Sequence, residues 1–164
     1  MYPLFETICV TNGRIQHLEW HELRYAKSYL LYYGKLTSQR LIEDLLIPDR
    51  YKKGIYKLRI GYNEVTKDAV FESYTFSDIK TLKLVEDNTI EYGLKFSDRK
   101  CLNELLMKRG RCDDILIVKN GMVTDSSICN IVFFDGQEWI TPANPLLNAV
   151  SHFCDTVLKF GNFI

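Results

Sequence analysis

Three local patterns in this chain have residue types and settings that suit chemistry. Lys95 lies in "YGLKFSDRK", where a short β-like run, "TIEYGL", delivers one lysine just ahead of the helical "SDRKCLNELLMKRG". In "HELRYAKS", His21, Arg24 and Ser28 fall at i, i+3 and i+7, which is one side of a helix. In "GMVTDSSICNIVFF" an acid, Asp125, precedes a small polar cluster and then a buried strand. Each alone has a plain reading: a solvated junction lysine, a wet helix face, turn residues at a strand end. Together they are more specific. A lysine amine is a nucleophile toward an aldehyde. A planar guanidinium suits phosphate or carboxylate because its fork bonds two oxygens. An acid opposite a pyridine nitrogen keeps that nitrogen protonated, so the ring accepts electrons from a carbanion. These are the groups that pyridoxal 5′-phosphate needs.

The elements that must hold them follow from pattern. "LFETICV" and "TNGRIQHL" read as a hairpin turning on Asn12-Gly13. From Glu19 to Tyr33, Trp20, Leu23, Leu30 and Tyr33 keep a helical stripe, which predicts an amphipathic helix with that stripe inward. Tyr29, Tyr32 and Tyr33 are expected to pack this helix against a sheet or a partner subunit. "SQRLIEDLL" predicts a second helix ending before Pro48. "IYKLRIGY" alternates as a strand, and "AVFESYTF" and "TLKLV" read as further strands. A helix over 98–109 closes on Gly110. Three strands joined by Asn120-Gly121 and Asp135-Gly136 turns follow it. The fold class is α+β, with two subdomains, 1–88 and 89–164.

Composition excludes several function classes. With 21 basic and 21 acidic residues the formal charge is zero, so no electrostatic footprint points to nucleic acid or to an anionic membrane. Lys108, Arg109 and Arg111 cluster at a helix end, where cations suit the dipole. Five cysteines without a C-x-x-C pair suggest reduced thiols in a cytoplasmic protein, not a disulfide framework or a zinc site. His17 and His21 lack the further ligands that a metal would need. The start "MYPLFETICV" lacks the regions of a signal peptide, and the runs "ILIV" and "IVFF" are too short to span a bilayer.

At this point the sequence resembles a known family, the class IV aminotransferases, which are fold-type IV pyridoxal phosphate enzymes. "LFETICVTNGRIQHLEWHELRYAKS" is similar to that family's first hairpin and helix, with its H-x-x-R motif. "YGLKFSDR" is similar to the cofactor-lysine segment, in the L-K-x-x-x-R version of aminodeoxychorismate lyases. "DDILIVKNGMVTDSSICNIVFFDGQEWITPANPLL" resembles the segment that carries the pyridine acid. The resemblance runs from about Leu4 to Leu147. It implies a D-amino acid aminotransferase-like fold and Lys95 as the catalytic Schiff-base lysine. Arg24 is implied as a phosphate ligand and Asp125 as the partner of the pyridine nitrogen, where many relatives use glutamate. Asn130 has an implied structural role beside the site, and the lysine would face a cleft between the two halves. The resemblance further implies a homodimer acting on a small-molecule amino acid, as an aminotransferase, or on aminodeoxychorismate, as a lyase. Arg59, within "YKLRIGY", is a candidate for the substrate carboxylate; the plain alternative is a strand arginine paired with a neighbouring acid.

After Leu147 the match fails. Where relatives continue with a G-x-x-R-like segment that completes a phosphate cup, this chain has "NAVSHF". Ala149 stands for the glycine and His152 for the arginine, while Ser151 can still offer a hydroxyl to phosphate. These departures predict a truncated or altered C-terminal part, and they leave a third reading open, a non-catalytic remnant of the family.

Overall fold

The computed structural model describes residues 1–75 and 77–148. The chain divides into two compact units. The first is Met1–Thr75 with Leu94–Asp98, and the second holds 76–93 and the residues from 99 onward.

The first unit is built on an antiparallel sheet of four strands in the order β2-β1-β3-β4. Strand β1 spans Leu4–Thr11, β2 Arg14–Ile15, β3 Ile55–Tyr62 and β4 Lys67–Ser73. Asn12 and Gly13 take φ of 50° and 73°, so both central positions of the β1–β2 turn are left-handed, as the Asn-Gly pair predicts. Helix α1, Leu18–Tyr33, ends on Gly34 at φ 71°, whose N–H donates to Leu30 O. The core joins Leu4, Ile8 and Val10 of β1 to Leu58, Ile60 and Tyr62 of β3 and to Tyr25 and Tyr29 of α1. Tyr25 meets Tyr62 edge-on, with ring centroids 4.9 Å apart.

Two expectations for this unit are overturned. Of the stripe on α1 only Tyr33 packs against the core: Trp20, Leu23 and Leu30 are 44%, 62% and 41% exposed, while His21, Tyr25, Ser28 and Tyr29 are buried. The side that carries the polar residues turns inward because β1 presents a buried carboxylate to it, as described below. Residues 38–46 form no helix. Asp44 sits at φ 53°, a left-handed value that interrupts a helix. Glu22 of α1 also captures the backbone N–H groups of Leu41 and Ile42, at 2.7 and 3.1 Å. With those donors satisfied, Leu41 is buried and Ile42, Leu45 and Ile47 pack against the core without a helical ladder.

The second unit holds β5 (Leu82–Glu86), α2 (Lys100–Leu106), β6 (Asp114–Lys119) and β7 (Met122–Ser126), followed by the short pair β8 (Phe133–Phe134) and β9 (Trp139–Ile140). Strand β6 pairs parallel with β5 and antiparallel with β7. It is the central strand, and its apolar run Ile115–Ile117 is buried throughout. Leu102 and Leu105 bury one side of α2. Asn120 and Gly121 repeat the left-handed pair at the β6–β7 turn, with φ of 51° and 75°. "TIEYGL" is no strand, and α2 begins only at Lys100, five residues after Lys95.

The reversed face of α1 has a measurable consequence. Tyr25→Ala is expected to cost about 3–5 kcal/mol, as for a buried aromatic. Leu23→Ala, on the predicted but exposed stripe, is expected to stay within about 0.5 kcal/mol of wild type. Urea midpoints decide it; the opposite ranking would restore the apolar stripe as the inner face.

Candidate active site

The first part of the site starts from a carboxylate that the motifs did not single out. Glu6 occupies the apolar face of β1, between Leu4 and Ile8, and is fully buried. Its Oε2 is 2.8 Å from His21 Nδ1, its Oε1 accepts from Arg24 Nε at 2.7 Å, and Arg24 Nη2 also donates to Oε2. Burial alone would raise this carboxyl, but the hydrogen bonds and charges of His21 and Arg24 hold it below the usual carboxylate range. The H-x-x-R spacing thus places both side chains on one buried anion. A signal existed in the sequence: a lone acid on the apolar side of an alternating strand has to be paired.

Because successive strand residues face opposite sides, Phe5 lies on the other face of β1 from Glu6. There Arg59 Cζ lies 3.6 Å and Lys95 Nζ 5.0 Å from the centroid of the Phe5 ring. Across β3, Phe5 pairs with Gly61, and Arg59 is the diagonal neighbour. A side chain at Gly61 would meet Tyr2, since a Cβ there would lie 3.1 Å from three Tyr2 atoms. Among the described residues no carboxylate pairs with Arg59, so the neighbouring acid that a plain strand arginine would have is missing. Lys95 and Arg59 therefore share one face of β1, and Arg24 contacts the other.

Lys95 is held by main-chain bonds. Strand β2 is only two residues long and pairs with Val10 and Thr11, so it leaves the start of β1 uncovered on that edge. The segment 95–97 fills it: Phe5 N–H donates to Lys95 O at 3.1 Å, Leu4 bridges Phe96, and Ser97 N–H donates to Pro3 O at 2.8 Å.

Asp125 belongs to the second unit. Leu116 pairs with Ser126 and Val118 with Val123, so Thr124 and Asp125 together oppose Ile117 alone. That is a β-bulge, which re-aims a side chain locally. Thr124 and Asp125 are both buried, and Thr124 Oγ1 donates to Ile117 O at 3.1 Å. Asp125 Oδ2 accepts from Leu146 N and Oδ1 from Asn130 Nδ2. Burial pushes the Asp125 carboxyl up to about 6, against the downward pull of the Leu146 and Leu147 N–H groups and the Asn130 amide. Ser151, Ala149 and His152, where the phosphate cup was expected, lie outside the described residues.

No protein-family model matches the sequence. An uncharacterized protein of Haemophilus influenzae is 42% identical over 149 residues, which cover 90% of this chain and 79% of that one. The crystal structure of a candidate 4-amino-4-deoxychorismate lyase from Haemophilus somnus 129pt is 35% identical, with a TM-score of 0.79 over 92% of this chain and 80% of that one. The PLP-bound form of a hypothetical aminotransferase from Mycobacterium tuberculosis, at 16% identity, shares the fold, with a TM-score of 0.62 over 91% of this chain and 64% of that one. The fold is α+β of the fold-type IV kind. The chain belongs to the class IV aminotransferase family.

Taken unit by unit, the residue chemistry suits the cofactor of such enzymes. Lys95 supplies a half-buried primary amine, and Asp125 a buried carboxylate. A carboxylate has about four lone-pair sites, so three donors leave it room for the N–H of a pyridinium.

Two of the buried acids, Glu6 and Asp125, give opposite pH responses. The folded pKa of Glu6 is lowered, so its stabilisation is present above the unfolded value of 4.5 and is lost as pH falls through the folded one. The folded pKa of Asp125 is raised, so acidification from about 6 toward 3.8 relieves a cost. Urea titrations across pH are expected to show a smaller acid-side loss in Glu6→Gln, with the lowered carboxyls of Asp49, Asp87, Asp113 and Asp135 keeping the rest, and the Asp125 contribution between 6 and 3.8 missing in Asp125→Asn. Unchanged profiles would mean that neither carboxyl is perturbed in this way.

Proposed function

We propose that this chain is a pyridoxal phosphate-dependent enzyme acting on an amino acid, with Lys95 as the residue that holds the cofactor and moves the proton. The observation that carries the reading is the placement of Lys95 and Arg59 about the Phe5 ring. Two cations about one ring form a positive patch that a carboxylate neutralises, and Arg59 can grip that carboxylate with two N–H groups. A substrate held there by its carboxylate carries its amino-bearing carbon toward the Lys95 amine. The cofactor, when bound, supplies the electron sink for that carbon. Asp125 would stand as the anion facing the ring nitrogen. The resemblance assigns Arg24 and Ser151 to the phosphate, and Arg24 would have to reach it past Glu6, which holds it on the face of β1 opposite Lys95. Two subdomains, a homodimer and a cytoplasmic location belong to the same proposal.

A second reading is favoured by the L-K-x-x-x-R pattern of Leu94, Lys95 and Arg99, and by the likeness to the candidate lyase of Haemophilus somnus. In it the substrate is aminodeoxychorismate, the proton moved by Lys95 accompanies loss of pyruvate, and p-aminobenzoate is the other product.

Purified protein is expected to turn yellow with pyridoxal phosphate, and borohydride followed by peptide mapping to place the label on Lys95. Label on Lys57, Lys80 or Lys83 would overturn the assignment, and a protein that stays colourless would support the non-catalytic reading. Products separate the two activities: a keto acid from an amino donor, or pyruvate with p-aminobenzoate. Arg59→Gln is expected to raise KM about tenfold or more with kcat little changed, as for uniform binding of a carboxylate. A fall in kcat alone would remove Arg59 from substrate binding.

A further inference from the structure

The turn from Asp125 to Asn130 is closed by its own backbone and by Ser126. The two end residues form an isolated antiparallel bridge, and Ser126 N–H donates to Cys129 O at 2.9 Å. Ser126 Oγ accepts from the N–H groups of Ile128 and Cys129, at 3.2 and 3.0 Å. Arg99, the N-cap of α2, donates from Nη2 to Ser127 O. None of these contacts uses the side chain of Asn130. That carboxamide reaches elsewhere: Nδ2 donates to Asp125 Oδ1 and, at 2.7 Å, to Leu147 O. With Leu146 N on Oδ2, each oxygen of the carboxylate has a donor, and two of the three linked groups lie on the segment 141–148.

We infer that Asn130 is a positioning residue, whose side-chain amide aims the Asp125 carboxylate and ties it to the segment 141–148. The inference rests on the role proposed for Asp125 toward the ring nitrogen. A carboxylate with only two torsions is fixed in its plane once both oxygens are engaged. The amide also favours the anion, because it donates to the charged form. Among the described residues the influences on Asp125 are burial, upward, and three hydrogen-bond donors, downward; no ionic partner contributes. Asn130 is therefore one of the few groups that keep a buried anion in place where a protonated ring nitrogen would need one.

Carboxyl titration in the protein without cofactor tests this directly. With ¹³C-labelled aspartate, the resonance missing from Asp125→Asn is expected to titrate near 6 in wild type. Asn130→Ala is expected to move that midpoint upward by about one pH unit, since one donor to the charged form is lost. Asn130→Ser, which keeps a single donor, is expected to give a smaller move and serves if the alanine variant does not fold. An unmoved midpoint in the folded variants overturns the inference. With pyridoxal phosphate added, Asn130→Ala is expected to weaken binding about tenfold in the Asp125 background and hardly at all in Asp125→Asn. An equal loss in both backgrounds also overturns it, because Asn130 would then act on the fold and not through Asp125. If wild type binds no cofactor the proposed function fails, and the apoprotein titration still decides the role of Asn130.

Discussion

The first unit depends on one buried charge. Removing Glu6 from water costs several kcal/mol on general grounds, and only donors in good geometry offset it. His21 and Arg24 supply those donors, and both must come from the same side of α1. The charge therefore fixes the rotation of the helix about its axis. Rotation by hydrophobicity alone would have buried Trp20, Leu23 and Leu30. Satisfying the carboxylate instead leaves them exposed and draws Tyr25 and Tyr29 into the core. Through strand alternation the same residue decides what lies on the far face of β1. With Glu6 inward, Phe5 must face the other way, where Arg59 and Lys95 meet its ring.

What could be read from the sequence divides along the range of the forces involved. Asn12-Gly13 and Asn120-Gly121 were legible because positive φ is a property of the residues themselves. Strand β3 was legible because its alternation survives in any context with one buried face. The extent of α1 was legible, but not its inner side, because that side answers to a charge on another element. Residues 38–46 misled for a similar reason. Their helical spacing is real, yet the carboxylate of Glu22 takes the N–H groups of Leu41 and Ile42 that a helix would need. Asp44 at positive φ then turns the chain.

The candidate residues could be named by type and not by setting. Lys95, Arg24, Arg59 and Asp125 could be chosen because their chemistry is distinctive. No pattern announced the bulge that sets Thr124 and Asp125 together against Ile117, since a bulge is a property of pairing register between strands. Glu6 went unremarked because a single acid in "LFETICV" looks like ordinary alternation until its neighbours on the same face are counted.

The placement of Lys95 shows why sequence position alone misleads about a lysine of this kind. Its neighbours on both sides, 76–93 and the residues from 99 onward, belong to the second unit, but 94–98 belong to the first. The cause lies in β2, which is too short to cover β1 along its whole length. The uncovered end would present unpaired backbone donors and acceptors, a costly state for residues as buried as Leu4 and Phe5. Residues 95–97 satisfy that edge through Phe5 N–H, Pro3 O and the Leu4–Phe96 bridge. The amine of Lys95 is thus set by a backbone requirement of β1, and it arrives beside Phe5 because Phe5 is the residue whose N–H its own carbonyl accepts. A helix or strand assignment for "YGLKFSDR" could not have given that result. The constraint belongs to the open edge of a strand some ninety residues earlier in the chain.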